Sequence, residues 1–272
     1  MLRARLISAA IMIVIVVGGL FFLPTPGFAL LLAAVMAAGL WEWSRLIPLA
    51  AFPGQVLYPL AVLLLLWLLW SAGLAGTAMP LLWAGLGFWV VALLYLPRAV
   101  VATGHGPGLR LLKSLAGVLV TVPAWASLVL LHAREPDGPY VILYLLVLVW
   151  AADSGAYFAG RKWGKRKLAP VISPGKSWEG VYGGIALCSV LAVAVGLAYG
   201  ETLKQAAGLL LVSLLTVMFS IVGDLLESLM KRQAGIKDSS NLIPGHGGVL
   251  DRIDSLTAAA PVFFIGLHWL KL

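Results

Sequence analysis

Apolar runs of roughly twenty residues recur along nearly the whole chain, separated by short clusters of proline, glycine and charge. A helix rising about 1.5 Å per residue crosses a hydrocarbon core of about 30 Å in a run of this length. Nine spans are predicted, over residues 6–24, 27–46, 54–73, 78–97, 113–132, 140–160, 180–199, 205–230 and 256–271. The breaks fall at Pro24 and Pro26, Pro53-Gly54, Pro97-Arg98, Pro136 to Pro139, and Pro170 to Pro174, where helices are readily interrupted. No connection is long enough to be a separate soluble domain. The expectation is an all-α polytopic membrane protein forming one unit over residues 1–272. Its N-terminal helices occupy 1–135 and its charged helices and loops 140–272. Arg3 and Arg5 precede the first run, which reads as a retained helix. It is longer than a signal-peptide core, and no small-x-small cleavage site precedes Pro24.

Composition closes off the soluble classes. The 272 residues are 61% hydrophobic and 11% charged, with a mean hydropathy of +1.00. Charge then orients the bundle. With nine spans, 16 of the 19 Lys and Arg fall on the side of the N-terminus. The other side has only Arg134, Lys204 and Lys271. The positive-inside rule predicts a cytoplasmic N-terminus, cytoplasmic basic loops and an outer C-terminus, in the cell's inner (plasma) membrane. The net charge of +8 belongs to one face, where an anionic leaflet and anionic substrates account for it. No nucleic-acid partner is expected. The lone Cys188, mid-run, excludes an internal disulfide and reads as a packed small residue.

Four polar clusters interrupt this background. Asp224, Glu227, Ser228 and Lys231 are spaced i, i+3, i+4, i+7 and share one face at the end of the eighth run. Lys231 and Arg232 suit a helix C-terminus, whereas acids there, beside lipid, are disfavoured unless a cation neutralises them. Asp153 lies about 20 Å along the sixth helix from Tyr140, on a stripe with Ala156, Tyr157 and Gly160 that permits close packing. An acid at that depth is a functional candidate, with a structural hydrogen bond as the alternative. Ser173-Pro-Gly-Lys176-Ser177 precedes the seventh helix, whose N–H groups favour an anion. It is not a P-loop, because the first glycine of that motif would fall on Pro170. Lys162, Arg166 and Lys167 are assigned to topology and headgroup contacts. Trp41, Trp43 and Trp163 read as interfacial anchors, and His105, His132 and His268 are given no role.

The fourth cluster is the most specific. It runs from Ser228 through Lys231-Arg232, Lys237-Asp238 and His246-Gly247-Gly248 to Asp251-Arg252-Ile-Asp254. Its order and spacing, S-x-x-K-R-x4-K-D and then P-x-H-G-G-x-x-D-R-x-D, closely resemble the signature of the phosphatidate cytidylyltransferases (CDP-diacylglycerol synthases). That family also carries a Ser-Pro-x-Lys-Thr-x-Glu-Gly segment, and Ser177 keeps the hydroxyl where Thr is common. The resemblance implies the reaction CTP + phosphatidic acid → CDP-diacylglycerol + pyrophosphate, with Mg2+ required and room for a second cation. Asp153, Asp224 and Asp251, with Asp254 as a further member, would hold the metal. Lys176, Lys231, Arg232, Lys237 and Arg252 would bind the triphosphate or the lipid phosphate, and Ser173, Ser177, Ser228, Gly247 and Gly248 would complete substrate binding. His246 is expected to donate to phosphate. The attacking phosphate is already ionised, so no strong general base is needed. Partners are then CTP, phosphatidic acid and the bilayer, and a homodimer is left open. Another lipid phosphate, such as an archaeal ether lipid, is an alternative acceptor. A transporter is the rival from another class, disfavoured because no duplicated halves are visible and the polar residues collect at one face.

Overall fold

In the computed structural model the backbone is described for residues 2–47, 52–101, 106–199 and 202–272, with side chains from residue 7 and, in the third helix, from residue 53. These residues form nine α-helices: α1 Leu2–Phe22, α2 Thr25–Leu46, α3 Phe52–Ser71, α4 Leu74–Tyr95, α5 Pro107–His132, α6 Gly138–Trp163, α7 Trp178–Ala198, α8 Leu203–Gln233 and α9 Leu250–Leu270. A short antiparallel hairpin, β1 Lys167–Ala169 and β2 Ser173–Ser177, joins α6 to α7. Every predicted run falls on a helix. Among the described residues eight helices are long and apolar enough to cross a membrane, and the described part of α1, Ile7–Phe22, is a shorter apolar helix.

The helix ends differ from expectation for local reasons. α5 starts at Pro107 rather than 113, because proline suits the first helical position. Lys113 is therefore not a loop cation. It is buried in α5, and its Nζ donates to Leu46 O (3.4 Å) at the C-terminus of α2, where a cation is favoured. α8 opens on a capping box in which Thr202 and Gln205 satisfy each other's backbone N–H groups. The segment before α7 is a hairpin rather than an open loop. Ser177 closes β2 and caps α7, its Oγ accepting from Gly180 N (3.2 Å).

Lipid tails are as apolar as leucine, so helices associate through close packing and polar ties. The α6–α7 contact is the tightest kind. A Cβ on Gly184 would stand 2.8 Å from Ala152 O, and one on Gly155 would stand 2.7 Å from Gly183 O. Backbone meets backbone there, and Asp153 is carried on that seam. α9 is the central helix. It packs against α2, α4, α5, α6 and α8, and Ala258, Ala259 and Ala260 are fully buried. Trp43, Trp89, Ile172, Leu229 and Leu250 close one end of the bundle. Leu20, Phe28, Leu131, Ile142 and Leu267 belong to a second cluster, and Arg134 donates to Leu272 O (2.8 Å) at the far end. Ser8 of α1 meets Pro244 and His246 at the motif end, so the chain's two ends lie at opposite ends of the bundle.

Two tryptophan assignments need separating. Trp163 is 59% exposed, but Trp43 is 1% exposed and donates from Nε1 to Lys113 O (2.9 Å). Trp43 is a core residue and not an interfacial anchor. His132 stacks on Phe28 and hydrogen-bonds Thr25 and Leu20 O, a structural tie. His268 stacks on Phe264. Cys188 is buried, with Sγ donating to Leu148 O. His105 and the side chains of Arg3 and Arg5 lie outside the described residues.

Candidate active site

At the motif end, the C-terminal parts of α6 and α8, the hairpin, the N-termini of α7 and α9 and the loop 234–249 converge. Asp153, Tyr157, Lys176 and Ser177 line a cavity of about 240 Å³ whose other walls include Ala152, Gly184, Val217 and Ile221. Lys176 Nζ lies 2.5 Å from Asp224 Oδ2, and Ser228 Oγ donates to Asp224 Oδ1 (3.2 Å). Asp153 interacts electrostatically with Lys176, Asp224 and Arg252. Asp254 interacts with Asp224, Lys176 and Lys231. Lys176 thus pairs with Asp224 of α8, and its charge also reaches the acids carried by α6 and α9.

A second opening lies beside this cavity. Lys237, Asp238, Asn241, His246 and Arg252 line a polar depression of about 540 Å³. Its floor is a tight turn in which Ile243 N donates to Gly247 O (2.8 Å) and His246 N to Ile243 O (2.9 Å). Gly247 has φ +84°, a conformation that favours glycine. His246 Nδ1 lies 2.8 Å from Ser8 Oγ, so α1 abuts the same loop. Arg252 lines the depression, and its charge reaches Asp153 in the first cavity.

Other predicted residues hold the loop. Lys231, 8% exposed, pairs with Glu227 (2.9 Å) and Asp251 (2.5 Å). Asp251 accepts there through Oδ1, while its Oδ2 accepts from Ser239 N and Gly248 N and lies 2.9 Å from Ser239 Oγ. Asp251 is thus engaged by Lys231 and the loop, and it would hold a metal only by giving up some of these partners. Arg232 donates to Ile172 O (3.4 Å) and Ile236 O (3.2 Å), tying the hairpin turn to the end of α8. Ser173 stands at the start of β2, paired with Ala169. The first turn of α7 is occupied by the chain itself: Glu179 accepts from Lys165 N, Arg166 N and Arg166 Nε. Lys162 Nζ lies over the Trp163 ring.

One residue was missed by the sequence reading. Glu42 in α2 is fully buried and accepts from Ser239 Oγ, Ser240 Oγ, Val249 N and Leu250 N. Like Asp153, it is an acid within an apolar helix, and the rule that singled out Asp153 applies to it equally.

Among the described residues no three of His, Cys, Asp and Glu form a ready ligand cluster. The donor chemistry nevertheless suits a hard divalent cation, since Asp153, Asp224 and Asp254 offer only carboxylate oxygens. Glu227 shares a small internal cavity of about 10 Å³ with Asp254. Its Oε2 is buried without a hydrogen-bond partner among the described residues.

Fold and site together define a polytopic membrane enzyme with paired acids and cations gathered at one end of a helix bundle. The chain belongs to the cytidylyltransferase family, whose profile matches residues 3–270. It is 48% identical over 263 residues to a phosphatidate cytidylyltransferase of Pseudomonas aeruginosa, covering 97% of this chain and 96% of that one. It is 43% identical over 282 residues to a phosphatidate cytidylyltransferase of Haemophilus influenzae, covering 97% of each. A Brucella suis protein of the same name is 47% identical over 141 residues, 51% of each chain.

Proposed function

We propose that this protein transfers CMP from CTP to phosphatidic acid, giving CDP-diacylglycerol and pyrophosphate. The observation that carries this reading is the pair of openings at the motif end, with Arg252 lining the polar one and its charge reaching Asp153 in the other. One has apolar walls around Lys176 and Asp153, and the other is polar and rimmed by Lys237 and His246. The first suits a lipid phosphate whose chains stay in the bilayer, and the second suits a nucleoside triphosphate. A phosphate oxygen of phosphatidic acid attacks the α-phosphorus of CTP. The bond from that phosphorus to the bridging oxygen breaks in line, and pyrophosphate leaves with its electron pair. No proton need move. The task is charge neutralisation and alignment, which Lys176, Lys237 and Arg252 supply as the triphosphate charge shifts to the leaving group. Magnesium, when bound, would offset the charge of the triphosphate, with Asp153, Asp224 and Asp254 as the residues that would hold it. Lys176 would then exchange Asp224 for phosphate.

The location follows from the basic residues. With 16 of the 19 Lys and Arg on the side of the motif loops, we place the site at the cytoplasmic face of the inner membrane. CTP is supplied there. Purified protein given CTP, phosphatidic acid and Mg2+ should form CDP-diacylglycerol, identified by mass, and excess EDTA should stop it. Full turnover in EDTA would remove the metal from the proposal, and absence of the lipid product would remove the reaction.

A further inference from the structure

The loop that walls the polar opening is held by a residue far from it in the chain. Glu42 Oε1 accepts from Ser240 Oγ (2.5 Å) and Val249 N (2.9 Å), and Oε2 accepts from Ser239 Oγ (2.9 Å) and Leu250 N (2.7 Å). Four donors converge on two oxygens of one side chain that is 0% exposed. Val249 and Leu250 are the N-cap and first residue of α9, and Val249 makes no side-chain cap. Two of the orphan N–H groups of α9 are thus satisfied from α2, with a carboxylate at the helix's positive end. Ser239 Oγ also lies 2.9 Å from Asp251 Oδ2, and Asp251 holds Lys231. A Cβ on Gly248 would stand 2.6 Å from both Glu42 oxygens, so glycine at 248 is what admits the carboxylate. None of these contacts reaches the walls of the apolar cavity.

We propose that Glu42 is a positioning residue for the nucleotide: it sets the loop 239–250, and through it the polar opening, without touching substrate. This rests on the reading of that opening as the CTP site. Only a carboxylate satisfies the four donors. An amide at this position offers one accepting oxygen and turns an NH2 group against a backbone N–H. Glu42→Gln therefore raises the KM for CTP about ten-fold or more, the scale of one or two lost charge-assisted hydrogen bonds. The KM for phosphatidic acid stays within about two-fold, because the apolar cavity is built from α6, α7, α8 and the hairpin. Glu42→Asp keeps two accepting oxygens on a shorter stem and recovers part of the CTP affinity.

The experiment measures both KM values for wild type, Glu42→Gln and Glu42→Asp in detergent, with amide hydrogen exchange over residues 239–250. Selective weakening of CTP with faster exchange in that loop is the expected result. Equal change in both KM values, tracking the folded fraction, would make Glu42 a general stability residue and overturn the proposal, as would unaltered CTP kinetics. Should Glu42→Gln not yield folded protein, Ser240→Ala removes one donor alone. It should raise the KM for CTP a few-fold, and no change would again overturn the proposal. A wild-type protein that does not use CTP, yet shows faster loop exchange on Glu42→Gln, would refute the reaction and leave the tie intact.

Discussion

Asp224 and Lys162 mark the two ends of a scale of charged residues at the motif face. Asp224 holds Lys176 at 2.5 Å inside the acid group, whereas the Lys162 ammonium lies over an exposed tryptophan. Asp224→Asn keeps the shape and removes the charge, so initial rates should fall at least about a hundred-fold, the order seen when one preorganised electrostatic group is lost. Lys162→Ala should stay within about two-fold, as expected of an exposed charge. Comparable losses in both would favour a diffuse basic surface over a defined site. Spacing alone made part of this legible. The i, i+3, i+4, i+7 face of α8 appears as the Ser228–Asp224 hydrogen bond and the Glu227–Lys231 pair. Glu42 was legible as an acid within an apolar run, but its role was not, because its partners are some 200 positions away. The burial of Trp43 was hidden for the same reason. It depends on Gly117 of α5, where a side chain would collide with the indole.

Hydropathy placed the helices well, since each must span about the same thickness of lipid. Their ends were less readable. α9 begins at Leu250, ahead of the apolar run at 256, so Asp251 and Asp254 stand in its first turns as their spacing predicts, and Glu42 supplies the cap that its own sequence lacks. The hairpin before α7 was hidden by Pro174 and Gly175, which read as loop. The α6–α7 seam is the element that carries Asp153, and it depends on backbone contact. Gly184→Ala would bring a methyl group 2.8 Å from Ala152 O, so the helices must part. Overpacking of this kind costs about 1–3 kcal/mol. The variant should unfold several degrees lower and lose activity. Gly76→Ala, in α4 with no atom within 4 Å of its new Cβ, should be neutral or slightly stabilising. Equal thermal shifts in the two would mean that the seam is not the tight contact described.

At the scale of the whole molecule, charge and site coincide. The motif loops and most of the cations share one end of the bundle, and the proposed orientation makes that end cytoplasmic. A cysteine probe can test this at Ala234, which is exposed at the end of α8. Ser239 would serve poorly, being buried between Glu42 and Asp251. In a Cys188→Ala background, Ala234→Cys should resist an impermeant thiol reagent in intact cells and react in inverted vesicles. Labelling from outside would invert the topology and cut the site off from cytosolic CTP. The most direct test of the account is the fate of the phosphates themselves. Purified protein with Mg2+ and phosphatidic acid is given CTP labelled at either the α- or the γ-phosphate. The account predicts α-label in the lipid product and γ-label in free pyrophosphate, in equal amounts. Label from the γ-phosphate in lipid, or α-label released without lipid product, would contradict it.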